Sequence, residues 1–136
     1  MGFTDNFRTQ HTEILAVVGE INDLLGRPQP DATALRKQLS VLAGKVNFHL
    51  AMEDKALYPR LLQRKGTPAE TLAARFMSEM GGLANVFADY NAKWQVSAIR
   101  ADVPAFSSDT RKVLGALAQR IARETRDLYP VADEAE

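Results

Sequence analysis

The chain has 136 residues, 46% hydrophobic and 25% charged, with 17 Lys plus Arg against 17 Asp plus Glu. This length and makeup fit one soluble globular domain over residues 1–136, and the formal charge of zero gives no reason to expect nucleic acid or an anionic membrane as partner. The absence of cysteine excludes disulfides, thiolate zinc sites, iron–sulfur clusters and covalently attached c-type haem.

No apolar run is long enough to span a membrane, and the N-terminus MGFTDNFRTQH lacks the basic, apolar pattern of a leader. The cytoplasm is therefore the expected location. In helix 1, Phe7, His11, Ile14, Val18, Ile21 and Leu25 recur at alternating steps of four and three, the spacing of one inward helix face. Gly26-Arg27-Pro28-Gln29-Pro30 ends it. Helix 2 repeats the spacing through Leu35, Leu39, Leu42, Val46, His49, Glu53 and Ala56. Thr67-Pro68-Ala69-Glu70 then reads as a helix start with Thr as N-cap and Glu closing a capping box. Helix 3 carries Phe76, Met80, Leu83, Phe87, Tyr90 and Trp94 on its seam. It also carries Gly81-Gly82, each glycine costing about 1 kcal/mol relative to alanine, which points to close packing, a kink or a small pocket. Ala101 to Ser108 reads as the last connection, with Ser107 or Ser108 capping helix 4, whose seam is Val113, Leu117, Arg120, Glu124 and Asp127. Four such helices with short connections predict an all-α, antiparallel up-down-up-down four-helix bundle.

The two halves are copies of one layout. Phe7-x3-His11-x2-Ile14 returns as Phe76-x3-Met80-x2-Leu83, offset by 69 residues. His49-x3-Glu53-x3-Leu57-Tyr58-Pro59 returns as Arg120-x3-Glu124-x3-Leu128-Tyr129-Pro130, offset by 71. Both histidines of the chain, two glutamates and Arg120 thus sit on seams otherwise reserved for the core, at one end of the bundle. A buried charge costs several kcal/mol unless paired or bound to metal. His-x3-Glu places an imidazole and a carboxylate one turn apart on one face. With His11 and Glu124 it makes a set of two imidazoles and two carboxylates, His11, His49, Glu53 and Glu124, suited to one divalent ion: iron, with zinc or manganese as further candidates. The plainer reading is a metal-free ion-pair cluster in which Arg120 balances Glu53 and Glu124. Met80 and Arg120 stand where a second ion would need ligands, and a guanidinium about 6 Å from a divalent ion is repelled by roughly 5 kcal/mol at an effective dielectric near 20. Phe76, Met80, Arg120 and Tyr58 are expected to line the site, with Tyr58 and its counterpart Tyr129 able to bond a carboxylate or simply close the core.

On these residues, above all HLAMEDKALYPRL in helix 2, the chain resembles the hemerythrin-like (HHE cation-binding) family over essentially its whole length. The resemblance implies a four-helix bundle and a non-haem di-iron centre, usually of five histidines and two bridging carboxylates, that binds dioxygen or related small molecules. His11, His49 and Glu53 match its pattern, and Glu124 matches the second bridging carboxylate. Met80 and Arg120 replace histidines, and three of the usual histidines are missing. The resemblance therefore implies at most one ion and a role in binding or sensing metal, oxygen, NO or peroxide. The alternative is a metal-free bundle that serves as a protein-interaction or signalling module. No nucleophile–base pair, phosphate loop or catalytic serine motif is present, so a binding protein is expected rather than an enzyme.

Overall fold

The computed structural model describes residues 2–135, and every regular element among them is helical. Helix α1 spans Asp5–Leu25, and α2 spans Ala32–Met52 and continues through a wide π turn, Glu53–Leu57, into α3, Tyr58–Leu62. The second half holds α4, Pro68–Met80; α5, Leu83–Lys93; α6, Val96–Ala101; and α7, Val103–Arg123. A second π turn, Glu124–Leu128, leads into α8, Tyr129–Ala135. Helix α1 packs against α2 and α7, and α5 packs against the same two, so four long segments surround one core. None of the described helices is long and apolar enough to cross a membrane.

Local chemistry sets the starts. Asp31 caps α2 by accepting from the backbone N–H groups of Thr33 and Ala34 at 2.9 and 3.2 Å. Thr67 caps α4 through Glu70 N–H at 3.2 Å, while the Glu70 carboxylate reaches back to Gly66 N–H at 3.0 Å. Helix α7 starts earlier than its serines suggested. Asp102 is the cap, accepting from Ala105 N–H at 3.0 Å, and Ser107 and Ser108 lie inside the helix. Pro104 favours this start because a first-turn proline gives up no hydrogen bond, and the early turn buries Phe106 against Trp94.

The expected single helix 3 is broken twice. At Gly81 a Cβ would stand 2.4 Å from the Met77 carbonyl oxygen, so glycine is what lets the chain turn there. At Trp94 the break is held by Arg36, which donates to the carbonyls of Asn91 and Trp94 at 2.9 and 2.8 Å, and by the Trp94 indole, which donates to Asp109 at 2.7 Å. Gly81-Gly82 is thus a kink. An open groove of about 1030 Å³, lined in part by Met80, Gly82 and Leu83, lies beside it.

The prolines after Tyr58 and Tyr129 do not end their helices. A proline inside a helix offers no N–H and crowds the carbonyl four residues back. The chain accommodates this by widening the turn before it: Tyr58 N–H bonds Glu53 C=O and Tyr129 N–H bonds Glu124 C=O, each five residues back. Both widened turns begin at a seam glutamate.

Two apolar clusters result. The larger joins Ile14, Leu39, Leu42, Val46, Leu83, Phe87 and Leu117, each of the fully buried aliphatic side chains contributing about 1.5–3 kcal/mol. The smaller joins Phe7, Leu57, Tyr58, Phe76, Leu128 and Tyr129. Along each half the polar seam residues fall between members of the two clusters. They form an internal layer closed off by a second core, where the spacing alone had put them at one end of the bundle.

Candidate metal centre

His11, His49, Glu53 and Glu124 are all buried, and each offers a ligand atom within 4.8 Å of the others. Helix α1 delivers His11, α2 delivers His49, and the two π turns deliver the glutamates. His11 Nε2 stands 3.3 Å from Glu124 Oε1, and His49 Nε2 stands 3.3 Å from Glu53 Oε1. The four candidate ligands read from the sequence are therefore brought together.

Each imidazole is held from outside by its other nitrogen. His49 Nδ1 donates to the Gln10 side-chain oxygen at 2.5 Å, and His11 Nδ1 bonds the Thr125 hydroxyl at 2.8 Å. With its proton on Nδ1, His49 turns the lone pair of Nε2 inward. Burial keeps it neutral, its pKa pushed down to about 4 with the Arg120 charge contributing. This arrangement presents a neutral imidazole to a metal and fixes its tautomer.

Arg120, with only 1% of its surface exposed, spans the carboxylates. Its Nε donates to Glu124 at 3.0 Å and its Nη2 to Glu53 at 3.2 Å and to Asp54 at 2.9 Å. Nη1 donates to the Met80 carbonyl at 3.3 Å, a group freed because α4 ends there. Burial opposes the guanidinium charge, but Glu124 and Glu53 outweigh it and raise the pKa above the ordinary arginine range. The tyrosines cross between the halves: Tyr58 donates to Glu124 at 2.6 Å, and Tyr129 donates to Glu53 and also meets His11 Nε2 at 2.9 Å.

The remaining lining residues divide. Tyr58 lies beneath the guanidinium, its ring centre 5.4 Å away. Met80 contributes its carbonyl, while its sulfur lies 3.9 Å from Arg123. Phe76 is buried but stacks under Arg123 at 4.6 Å, away from the carboxylates. The sequence reading missed Gln10, Thr125 and Asp54. Gln10 and Thr125 directly neighbour a candidate ligand in the chain, but each bonds a histidine on another helix, Gln10 that of α2 and Thr125 that of α1, and Asp54 directly follows Glu53.

Two buried atoms in the layer lack a hydrogen-bond partner: His49 Nε2 and Glu124 Oε1. Both are lone-pair atoms, and they stand 3.3 Å from Glu53 Oε1 and His11 Nε2 respectively. Charge points the same way. Glu53 and Glu124 carry two negative charges against the single charge of Arg120, and the imidazole of His49 adds none. The excess is relieved on Glu53, whose pKa is driven well up by burial and by Glu124, whereas His11 and Arg120 hold Glu124 down against its own burial. A divalent cation would give these lone pairs a partner and replace that proton, so the donor set fits a metal ion.

The pH dependence of stability follows. Glu53 keeps a proton that unfolding releases above about pH 4.5, so its contribution lowers stability as pH rises. His49 gains a proton on unfolding below about pH 6.5, so stability falls as pH drops from there to about 4, and Glu124 adds loss on the same acid side. Metal-free protein should be most stable between about pH 4.5 and 6.5 in urea unfolding, and a saturating divalent ion should flatten the alkaline decline. Stability that climbs steadily from pH 5 to pH 8 without metal would contradict this assignment.

The hemerythrin HHE cation binding domain matches residues 2–132 of the chain. No curated protein and no solved structure gives a match.

Proposed function

The chain belongs to the hemerythrin HHE cation-binding family, and from that premise we propose that it holds a single divalent metal ion, iron before zinc or manganese, on His11, His49, Glu53 and Glu124. The observation that carries this reading is the pair of unpartnered lone-pair atoms, His49 Nε2 and Glu124 Oε1, facing the other two ligands inside a buried layer. Arg120 takes the place of a second cation. Its donors are committed to Glu124, Glu53, Asp54 and the Met80 carbonyl, so it serves the carboxylates rather than an incoming anion. The cycle of packed helices supports reading the fold as an antiparallel four-helix bundle.

A mononuclear site with two neutral donors and two carboxylates suits binding or sensing: the metal itself, or a small ligand such as oxygen, NO or peroxide taken up by the metal. We assign no catalytic residue. Elemental analysis of untagged protein, with Fe(II) added under anaerobic conditions, should return close to one equivalent of metal per chain. Two equivalents of iron would overturn the role given to Arg120. No uptake at all would favour the second reading, a metal-free interaction module, which the tight Arg120 fork also supports.

A further inference from the structure

Helices α1 and α2 run side by side in opposite directions. His49 meets Gln10, and one turn earlier in α2 Lys45 meets Glu13, which lies one turn later in α1. Their outward surface is unusual in two respects. Lys37, Val41, Lys45, Phe48 and Met52 follow one another along α2 at steps of four, four, three and four, one continuous helical line. On that line Val41, Phe48 and Met52 are 41, 60 and 37% exposed, three of the large hydrophobic side chains left open to solvent. The matching line on α1 is Glu13, Ala16, Glu20 and Asp23.

The charges separate as sharply. Apart from Arg8, which pairs with Asp133, the charges on α1 are acidic, namely Asp5, Glu13, Glu20 and Asp23, whereas α2 contains no acid at all. An acidic helix beside a basic helix whose outward line also carries exposed apolar side chains forms a surface complementary to itself. We infer that a second copy of this chain covers this face, with α1 of each copy lying on α2 of the other.

The charge pattern also selects the symmetry. A two-fold axis lying across the helices would set α1 on α1, acid on acid. An axis along the helices sets α1 on α2 and preserves height, so that Glu13 meets the second copy's Lys45 and Glu20 meets its Lys37. Val41 then packs over the small Ala16, and Phe48 meets the second copy at the height of Gln10. Two 21-residue helices are each about 31 Å long and together present a face on the order of 600 Å² before corrugation, close to the roughly 800 Å² per partner of a standard interface.

Sedimentation equilibrium on the full, untagged chain tests this. The wild type should be a dimer, and Phe48→Glu should be a folded monomer with unchanged helical circular dichroism, because Phe48 makes no part of the core. Lys37→Glu with Lys45→Glu should weaken the dimer by at least about tenfold, and adding Glu13→Lys with Glu20→Lys should restore it. A wild type that stays monomeric, or a dimer indifferent to Phe48→Glu, would overturn the inference. Failure of the fourfold swap to restore association would overturn the pairing of α1 on α2.

Discussion

Replacing Arg120 with methionine is expected to lower unfolding stability by about 3–5 kcal/mol, because the change leaves two buried carboxylates facing each other without their countercharge. Methionine fills much of the volume, so the loss reports charge more than cavity. Glu53 can relieve part of it by holding its proton more firmly, and the deficit should shrink as the pH is lowered toward 5. Removing the carboxylates too, with Glu53→Gln and Glu124→Gln, should recover most of the stability, since an ion-pair cluster replaced as a whole costs little. A divalent ion at about a hundred times its dissociation constant should return roughly 2.7 kcal/mol to the Arg120→Met protein. Urea titrations with and without metal read all three effects. A loss below about 1 kcal/mol would mean that solvent reaches the cluster and screens it.

His49→Ala should reduce divalent-metal affinity by about a hundredfold or more, given that loss of an outer hydrogen-bond partner alone typically costs 10–100-fold. The inward Nε2 of His49 is the unpartnered nitrogen of the layer, and no neighbouring donor is placed to substitute for it. Gln10→Ala should give the smaller loss, because the imidazole remains but its tautomer and orientation are no longer held. Isothermal titration with Zn(II) or Mn(II) separates the two variants. Equal affinity in His49→Ala and wild type would place the ion elsewhere or remove it from the protein altogether.

The all-helical class was legible because helical seams are a local property. Phe7 through Leu25 and Leu35 through Leu50 state their inward face in steps of three and four, and the structure buries most of that face. The four candidate ligands were legible for the same reason: His11, His49, Glu53 and Glu124 interrupt apolar seams at repeat-related positions. The helix 3 breaks and the start of α7 were less so. Gly81 signalled a kink, but the turn at Trp94 depends on Arg36, which lies 58 residues earlier in the chain. The serines that suggested a cap for helix 4 were outcompeted by Asp102, which lets Phe106 reach the core.

The sequence by itself determined which residue types occupy the core layer, that the chain is a duplicated helical pair, and that arginine stands where one half kept histidine. It could do so because periodicity and repeat offset depend only on neighbours along the chain. Tertiary structure decided where the hydrogen bonds go. Tyr58 serves the glutamate of the other half and Tyr129 that of the first, over 66 and 76 residues of chain. Arg120 donates its fourth bond to a carbonyl that exists as a free acceptor only because α4 stops at Met80. Such bonds form between helices whose relative height and rotation are fixed by the packing of both apolar clusters. No local pattern encodes that alignment, and it is what leaves His49 Nε2 and Glu124 Oε1 buried without a hydrogen-bond partner.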